Sequence, residues 1–158
     1  MSVQTKISVS TIICNRNHDD PAKNLYLMVE EMTDDGIRIN QPTGHLELGE
    51  TPEEGAIREV LEETKHNIYI ASFIGAYLYT RASNAASFMR LCFHGVVSSI
   101  DNTVPEDEDK TIPLWLTYEQ IANREAEHRN PMVMACLDDF IANNYCGINK
   151  HVVQTFSS

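Results

Sequence analysis

Gly44–Lys65 reads GHLELGETPEEGAIREVLEETK, and the spacing of its charges points to both a local fold and a chemistry. Glu59, Glu62 and Glu63 stand at i, i+3 and i+4, so on a helix they share one face. Carboxylates crowded in this way repel one another. A hard divalent cation over that face relieves the repulsion, since magnesium prefers oxygen ligands and keeps some waters that a phosphate-bearing substrate can replace. The alternative is an ordinary solvated acidic face, and the three glutamates alone do not decide between them.

The helix is signposted by its own residues. Thr51 is suited to the N-cap, Pro52 to the first helical position, and Glu54 completes a Thr-x-x-Glu capping box. Ala56, Ile57, Val60, Leu61 and Thr64 then recur at helical period as an apolar stripe, with the three glutamates off that stripe. Arg58 lies four residues from Glu54 and from Glu62 and can pair with either, or reach back to Glu50.

Gly44, Glu50, Arg58, Glu59, Val60, Glu62 and Glu63 together match the Nudix box, Gly-x5-Glu-x7-Arg-Glu-aliphatic-x-Glu-Glu-x-Gly-aliphatic. At ordinary residue usage the six non-aliphatic matches arise by chance in roughly one window in 10⁷, which separates the motif from a chance acidic helix. Outside the box, the run 40–47, Trp115 and the segment 128–133 (His-Arg-Asn-Pro-Met-Val) resemble bacterial Nudix phosphatases of the NudJ type. The similarity extends more weakly from about Lys6 to Tyr145. Where the box ends in Gly-aliphatic, this chain has Lys65-His66. The glycine normally closes the helix in a left-handed conformation that a lysine enters at a cost. Asn67 tolerates that conformation, so the expectation is a helix closing two residues later, with Ile68 as the aliphatic position.

The resemblance implies an α/β (mixed α+β) Nudix fold, a mixed sheet sandwiched between helices. It also implies water cleaving a phosphoanhydride bond with help from Mg²⁺, with Mn²⁺ able to substitute. On the matching positions, the metal ligands would be Glu59, Glu62, Glu63 and the backbone carbonyl of Thr43, with Asp109 where relatives often carry a further carboxylate that meets the metal, while Gly44 lets that loop come close. Arg58 would hold the loop and orient Glu59. The general base would be Glu59 or Asp109, the latter six residues before Trp115 in an acidic run that can equally be a solvated loop. Arg90, a charge in mid-strand, and Arg129, ahead of Pro131, are candidate substrate contacts beside Gly44, and each can equally be structural. Tyr77 and Tyr79 could offer a ring to a base or pack in the core. His45 reads as a strand or loop contact rather than a metal ligand, and His128 has no evident partner. Small nucleoside di- and triphosphates are the implied substrates, together with the diphosphate of the thiamine-precursor pyrimidine. Nucleotide-sugar or oxidised-nucleotide hydrolysis is the alternative within the enzymes. A catalytically silent binding module is the alternative of another class, although every box carboxylate is in place. Many relatives pair as homodimers.

The whole chain is compatible with this. Its 158 residues suit one domain, expected over 1–146, with a loose tail over 147–158. A net charge of −11 argues against a long nucleic-acid partner. No apolar run approaches the length of a membrane span. The four cysteines (Cys14, Cys92, Cys136 and Cys146) show no zinc-type spacing. Cys92 and Cys136 fall in apolar stretches and read as buried thiols. With no convincing secretory signal, a reducing cytoplasm is expected.

Around the helix the pattern predicts strands over Lys6–Cys14, Leu25–Glu31, Ile37–Asn40, Asn67–Thr80, Ser87–Ser98 and Ile112–Leu116. A short helix is expected after Thr117. A longer one should open at Asn130-Pro131 and run to Asn144, with Val133, Leu137, Phe140 and Ile141 inward.

Overall fold

The structure, a computed structural model, describes residues 4–106 and 110–145 and the backbone of 153–157. The strands are β1 (Thr5–Asn15), β2 (Leu25–Thr33), β3 (Gly36–Asn40), β4 (Thr43–His45), β5 (His66–Thr80), β6 (Ser87–Ile100), β7 (Ile112–Thr117) and β8 (Val153–Ser157). The helices are α1 (Pro52–Thr64), α2 (Tyr118–Ala122) and α3 (Met132–Ala142). Strands and helices form a mixed α+β domain around one eight-stranded sheet of order β3-β2-β1-β6-β5-β8, with β4 added to β1 and β7 to β2. The pairs β1–β6 and β5–β8 are parallel, and the others are antiparallel.

Strand β1 is covered on both faces, which is why Ser8 to Ile13 is continuously buried rather than alternating. Ile13 packs with Val60 of α1 and with Leu27 and Ile68. Ile12, one residue away and so on the opposite face, packs into a larger core with Val133, Cys136, Leu137 and Phe140 of α3. The sheet is therefore sandwiched between α1 and α3. Ile141, expected inward with these residues, is only partly buried. Cys92 and Cys136 are buried free thiols.

One feature of β1 positions the site. Ser8–Ser10 pairs with β4, whereas Cys14 and Asn15 pair with β2. Two different partners thus share one edge of β1, and the sheet forks there. The chain crosses the fork at Gln41-Pro42, where the Pro42 carbonyl accepts the Thr11 N–H at 3.1 Å.

Helix α1 starts as its sequence dictates. Both halves of the Thr51/Glu54 capping box are made, with Pro52 in the first turn. Its end differs from the expectation. Lys65 itself adopts the left-handed conformation, φ 62°, and its N–H closes on the Leu61 carbonyl at 2.9 Å. Asn67 is already in β5. Strand pairing explains the early stop, because His66 is in register with Ile100 and the Lys65 carbonyl accepts the Asp101 N–H at 2.8 Å. Ile68 still fills the aliphatic position, packed against the Val60 cluster.

The three-residue β4 was not expected from the sequence. Nor was the pairing of Val153–Ser157 beside β5, since that stretch falls in the segment read as a loose tail. No helix among the described residues is long and apolar enough to cross a membrane.

Candidate active site

Arg58 is the hub of the box. Its Nε and Nη2 donate to the two carboxylate oxygens of Glu50 at 2.7 and 3.0 Å. Its Nη1 donates to Glu59 Oε1 at 2.7 Å and to Glu62 Oε2 at 3.2 Å. Nη2 also reaches the His45 carbonyl at 3.0 Å. One guanidinium therefore ties the loop after β4 to the glutamate face of α1, a use that needs its planar fork of donors. Glu50 and Glu62 are both engaged. Glu54, the remaining candidate partner, is committed to the capping box instead. The fork with Glu50 holds that carboxyl below its ordinary value, with help from the Glu47 N–H, and pushes the Arg58 guanidinium further up.

The other box residues meet the loop from the helix side. Glu63 Oε2 accepts the Thr43 N–H at 3.3 Å. Gly44 lies directly under the Glu59 carboxylate, and a Cβ on Gly44 would overlap it. The glycine is required for this close approach rather than for its backbone angle, because its φ is not positive.

Glu59, Glu62, Glu63, Thr43 and Gly44 line one side of a cleft of about 720 Å³. Arg90 and Arg129 line the same cleft, so the candidate residues that lie far apart in sequence share one space. Arg90 is 1% exposed. Its Nη1 donates to Gln41 Oε1 at 3.1 Å and its Nη2 to Asn40 Oδ1 at 2.9 Å, while Nε has no hydrogen-bond partner. Both partners are neutral amides, and no carboxylate is paired with Arg90 among the described residues. Such a cation is costly to bury. Arg129 holds Glu31 only at 3.8 Å, long for an ion pair, and the segment is anchored instead by the Arg129 N–H on the Ile39 carbonyl at 3.0 Å.

The remaining candidates separate clearly. Tyr77 is a core residue whose hydroxyl donates to Asp139 at 2.6 Å. Tyr79 faces the cleft. His45 contributes its carbonyl to Arg58, and His128 has a partner after all, the Ile121 carbonyl at 2.8 Å from its Nε2. Asp109 lies outside the described residues. Asn40, Gln41 and Phe88 went unremarked as site residues in the sequence, whereas Arg81 opens the loop 81–86 that reads as a place for selectivity and does line the cleft. Only the oddity of a mid-strand arginine, which must have a partner, could have led to the two amides.

The donor set suits a hard divalent ion. It is all oxygen, carried on one helix face and on the adjoining loop. Among the described residues no three acidic, histidine or cysteine side chains converge into a closed cage. An ion there would complete its shell with water and substrate oxygens, as magnesium does.

Fold and site together define a Nudix hydrolase. A NUDIX domain model matches residues 4–136, and the chain belongs to that family. It is similar to Phosphatase NudJ of Escherichia coli (strain K12) and of Shigella sonnei (strain Ss046). Each is 34% identical over 112 residues, which cover 71% of this chain and 72% of the relative. Among solved structures, a NUDIX hydrolase from Nitrosomonas europaea superposes with a TM-score of 0.79 at 34% identity, covering 92% of this chain and 95% of that one. A UDP-X diphosphatase shares the fold at a TM-score of 0.64 and 13% identity, covering 99% and 68%.

Proposed function

We propose that this Nudix hydrolase is a magnesium-dependent phosphatase or pyrophosphohydrolase of small nucleoside di- and triphosphates or related diphosphates, as the similarity to Phosphatase NudJ suggests. The observation that carries the proposal is the charge layout of the cleft. Three box glutamates line it, and so does a buried arginine hydrogen-bonded to two amides with no carboxylate partner among the described residues. A phosphate chain bridges the two, because it brings negative charge to Arg90 and oxygen ligands to an ion held by the glutamates.

In this reading Glu59, Glu62, Glu63 and the Thr43 carbonyl hold the ion, Asp109 adds a ligand, and Mn²⁺ can replace Mg²⁺. Bound there, the metal would neutralise non-bridging phosphate oxygens, stabilise the leaving oxygen and acidify a water. The chain's own residues do the rest. Glu59 takes the proton from the attacking water, Arg58 fixes the Glu59 carboxylate and the loop, and Gly44 keeps the space beside it clear. Arg90 and Arg129 orient the phosphates, which is the positioning on which phosphoryl transfer depends.

The test is release of phosphate and pyrophosphate from a panel of nucleotides and the thiamine-precursor diphosphate, with and without magnesium. Turnover is expected only with the metal. It should fall by at least about 10²-fold in Glu62→Gln and in Glu63→Gln, consistent with removing several kcal/mol of charge stabilisation. Folded protein that binds magnesium yet turns over nothing on the panel would overturn the proposal.

A further inference from the structure

Beyond the phosphate end, the cleft has a wall that the box does not use. In the sheet register Lys6, Phe88 and Tyr79 form one cross-strand row, and Ser8, Arg90 and Tyr77 form the next row on the same face. The Phe88 and Tyr79 rings stack with centroids 6.4 Å apart and planes 25° from parallel. Arg81, at the end of β5, lies with its guanidinium carbon 5.7 Å from the centre of the Phe88 ring. It is exposed, and no carboxylate is paired with it among the described residues. All of Phe88, Tyr79 and Arg81 line the cleft with Arg90.

We infer that Arg81 and Phe88 are the jaws of a stacking clamp for the heterocycle of a nucleoside di- or triphosphate. The inference rests on the hydrolase reading above and names the substrate class for that same cleft. A planar base fits between a guanidinium plane and an aromatic face because both surfaces stack on π systems. Two van der Waals layers need about 7 Å, so Arg81 has to swing outward by only about 1–2 Å. Its anchorage permits this, since the Arg81 backbone is pinned by its N–H on the Ala86 carbonyl at 2.9 Å while the side chain projects from the turn. The Tyr79 ring backs Phe88 and keeps that jaw rigid.

The spacing accommodates a nucleoside. Successive same-face rows along a strand are about 6.6 Å apart, so the clamp stands one row from Arg90. A sugar between base and phosphate spans that gap.

The experiment compares wild type, Arg81→Ala and Phe88→Leu on a nucleoside triphosphate, the pyrimidinylmethyl diphosphate and an unbranched alkyl diphosphate, all with magnesium. For the nucleotide, KM should rise about tenfold in each variant with kcat within twofold, while the alkyl diphosphate is unchanged. Equal changes on nucleotide and alkyl substrates, or no change on either, overturn the clamp. A change confined to the pyrimidinylmethyl diphosphate overturns the nucleoside assignment. Should Phe88→Leu lose its fold, exposed Arg81 decides the matter alone. Should wild type hydrolyse none of the three, calorimetric titration with a nucleoside diphosphate in calcium separates the two ideas. Binding that weakens about tenfold in Arg81→Ala supports the clamp while the hydrolase reading fails, and binding equal to wild type, or none at all, overturns the clamp.

Discussion

A carboxylate in a phosphohydrolase site has to be held still before it can be useful, and around Glu59 the holding is done by two neighbours of opposite kinds. Arg58 pulls on one oxygen at 2.7 Å, and Gly44 leaves the space the carboxylate occupies. Gly44→Ala therefore separates position from fold. The backbone at 44 does not require glycine's left-handed freedom, so an alanine can be accommodated by the main chain. Its Cβ, however, collides with the Glu59 carboxylate and displaces it by an ångström or more. Misplacement on that scale costs about 10²-fold in rate. Steady-state assays should show kcat falling by that order while the melting temperature stays within a few degrees of wild type. An alanine variant with full activity would mean that the observed position of Glu59 has no bearing on turnover.

At the scale of the element, α1 shows what local sequence can and cannot specify. Its start was legible because every signal is local: the cap, the proline and the glutamate lie within four residues. Its end was not, because the decision lies with β5 and β6, whose pairing begins at His66 and draws the chain out of the helix. The fork in β1 that creates β4 was hidden for the same reason. Lys65 turns this into a test of sign. With Lys65 left-handed, Lys65→Gly removes a strain of about 1–2 kcal/mol. It also loses about 0.5–1 kcal/mol to the freer unfolded chain and a few tenths of favourable charge at the helix C-terminus. The net is neutral to about 1 kcal/mol stabilising. Lys65→Val, β-branched in that conformation, should destabilise by at least about 1 kcal/mol. Urea unfolding of both variants checks the pair. If α1 instead ran on to Asn67, Lys65 would be mid-helix and the glycine would cost about 1 kcal/mol.

For the molecule as a whole, the sequence disclosed the acidic half of the cleft and little of the rest. The glutamates belong to one helix and reveal themselves by spacing. The rest of the lining is assembled from β1, β3, β5 and β6, so Arg90 stood out only as a misplaced charge, Arg81 only as the start of a loop, and Phe88 did not stand out at all. Acid stability depends on groups outside that cleft lining. Glu50 is depressed from its ordinary 4.5 by Arg58. His94, whose ring is tilted against Phe140 with centroids 4.7 Å apart, is depressed from 6.5 by burial and then by Arg16. Both groups are harder to protonate in the folded chain. Their contributions are thus fully present above the unfolded values and are lost as pH falls through the folded ones. His94 should begin to destabilise below about pH 6.5 and Glu50 only below about 4.5. A chain of net charge −11 also gains stability on acidification as self-repulsion fades, so the raw profile mixes opposite trends. Subtracting variant from wild-type melting temperatures across pH 3–8 cancels that shared term. The difference for Glu50→Gln should be flat above pH 4.5 and shrink below it, while the difference for His94→Gln should already shrink below 6.5. Superimposable difference curves would show that neither group is held by the partners the structure gives it.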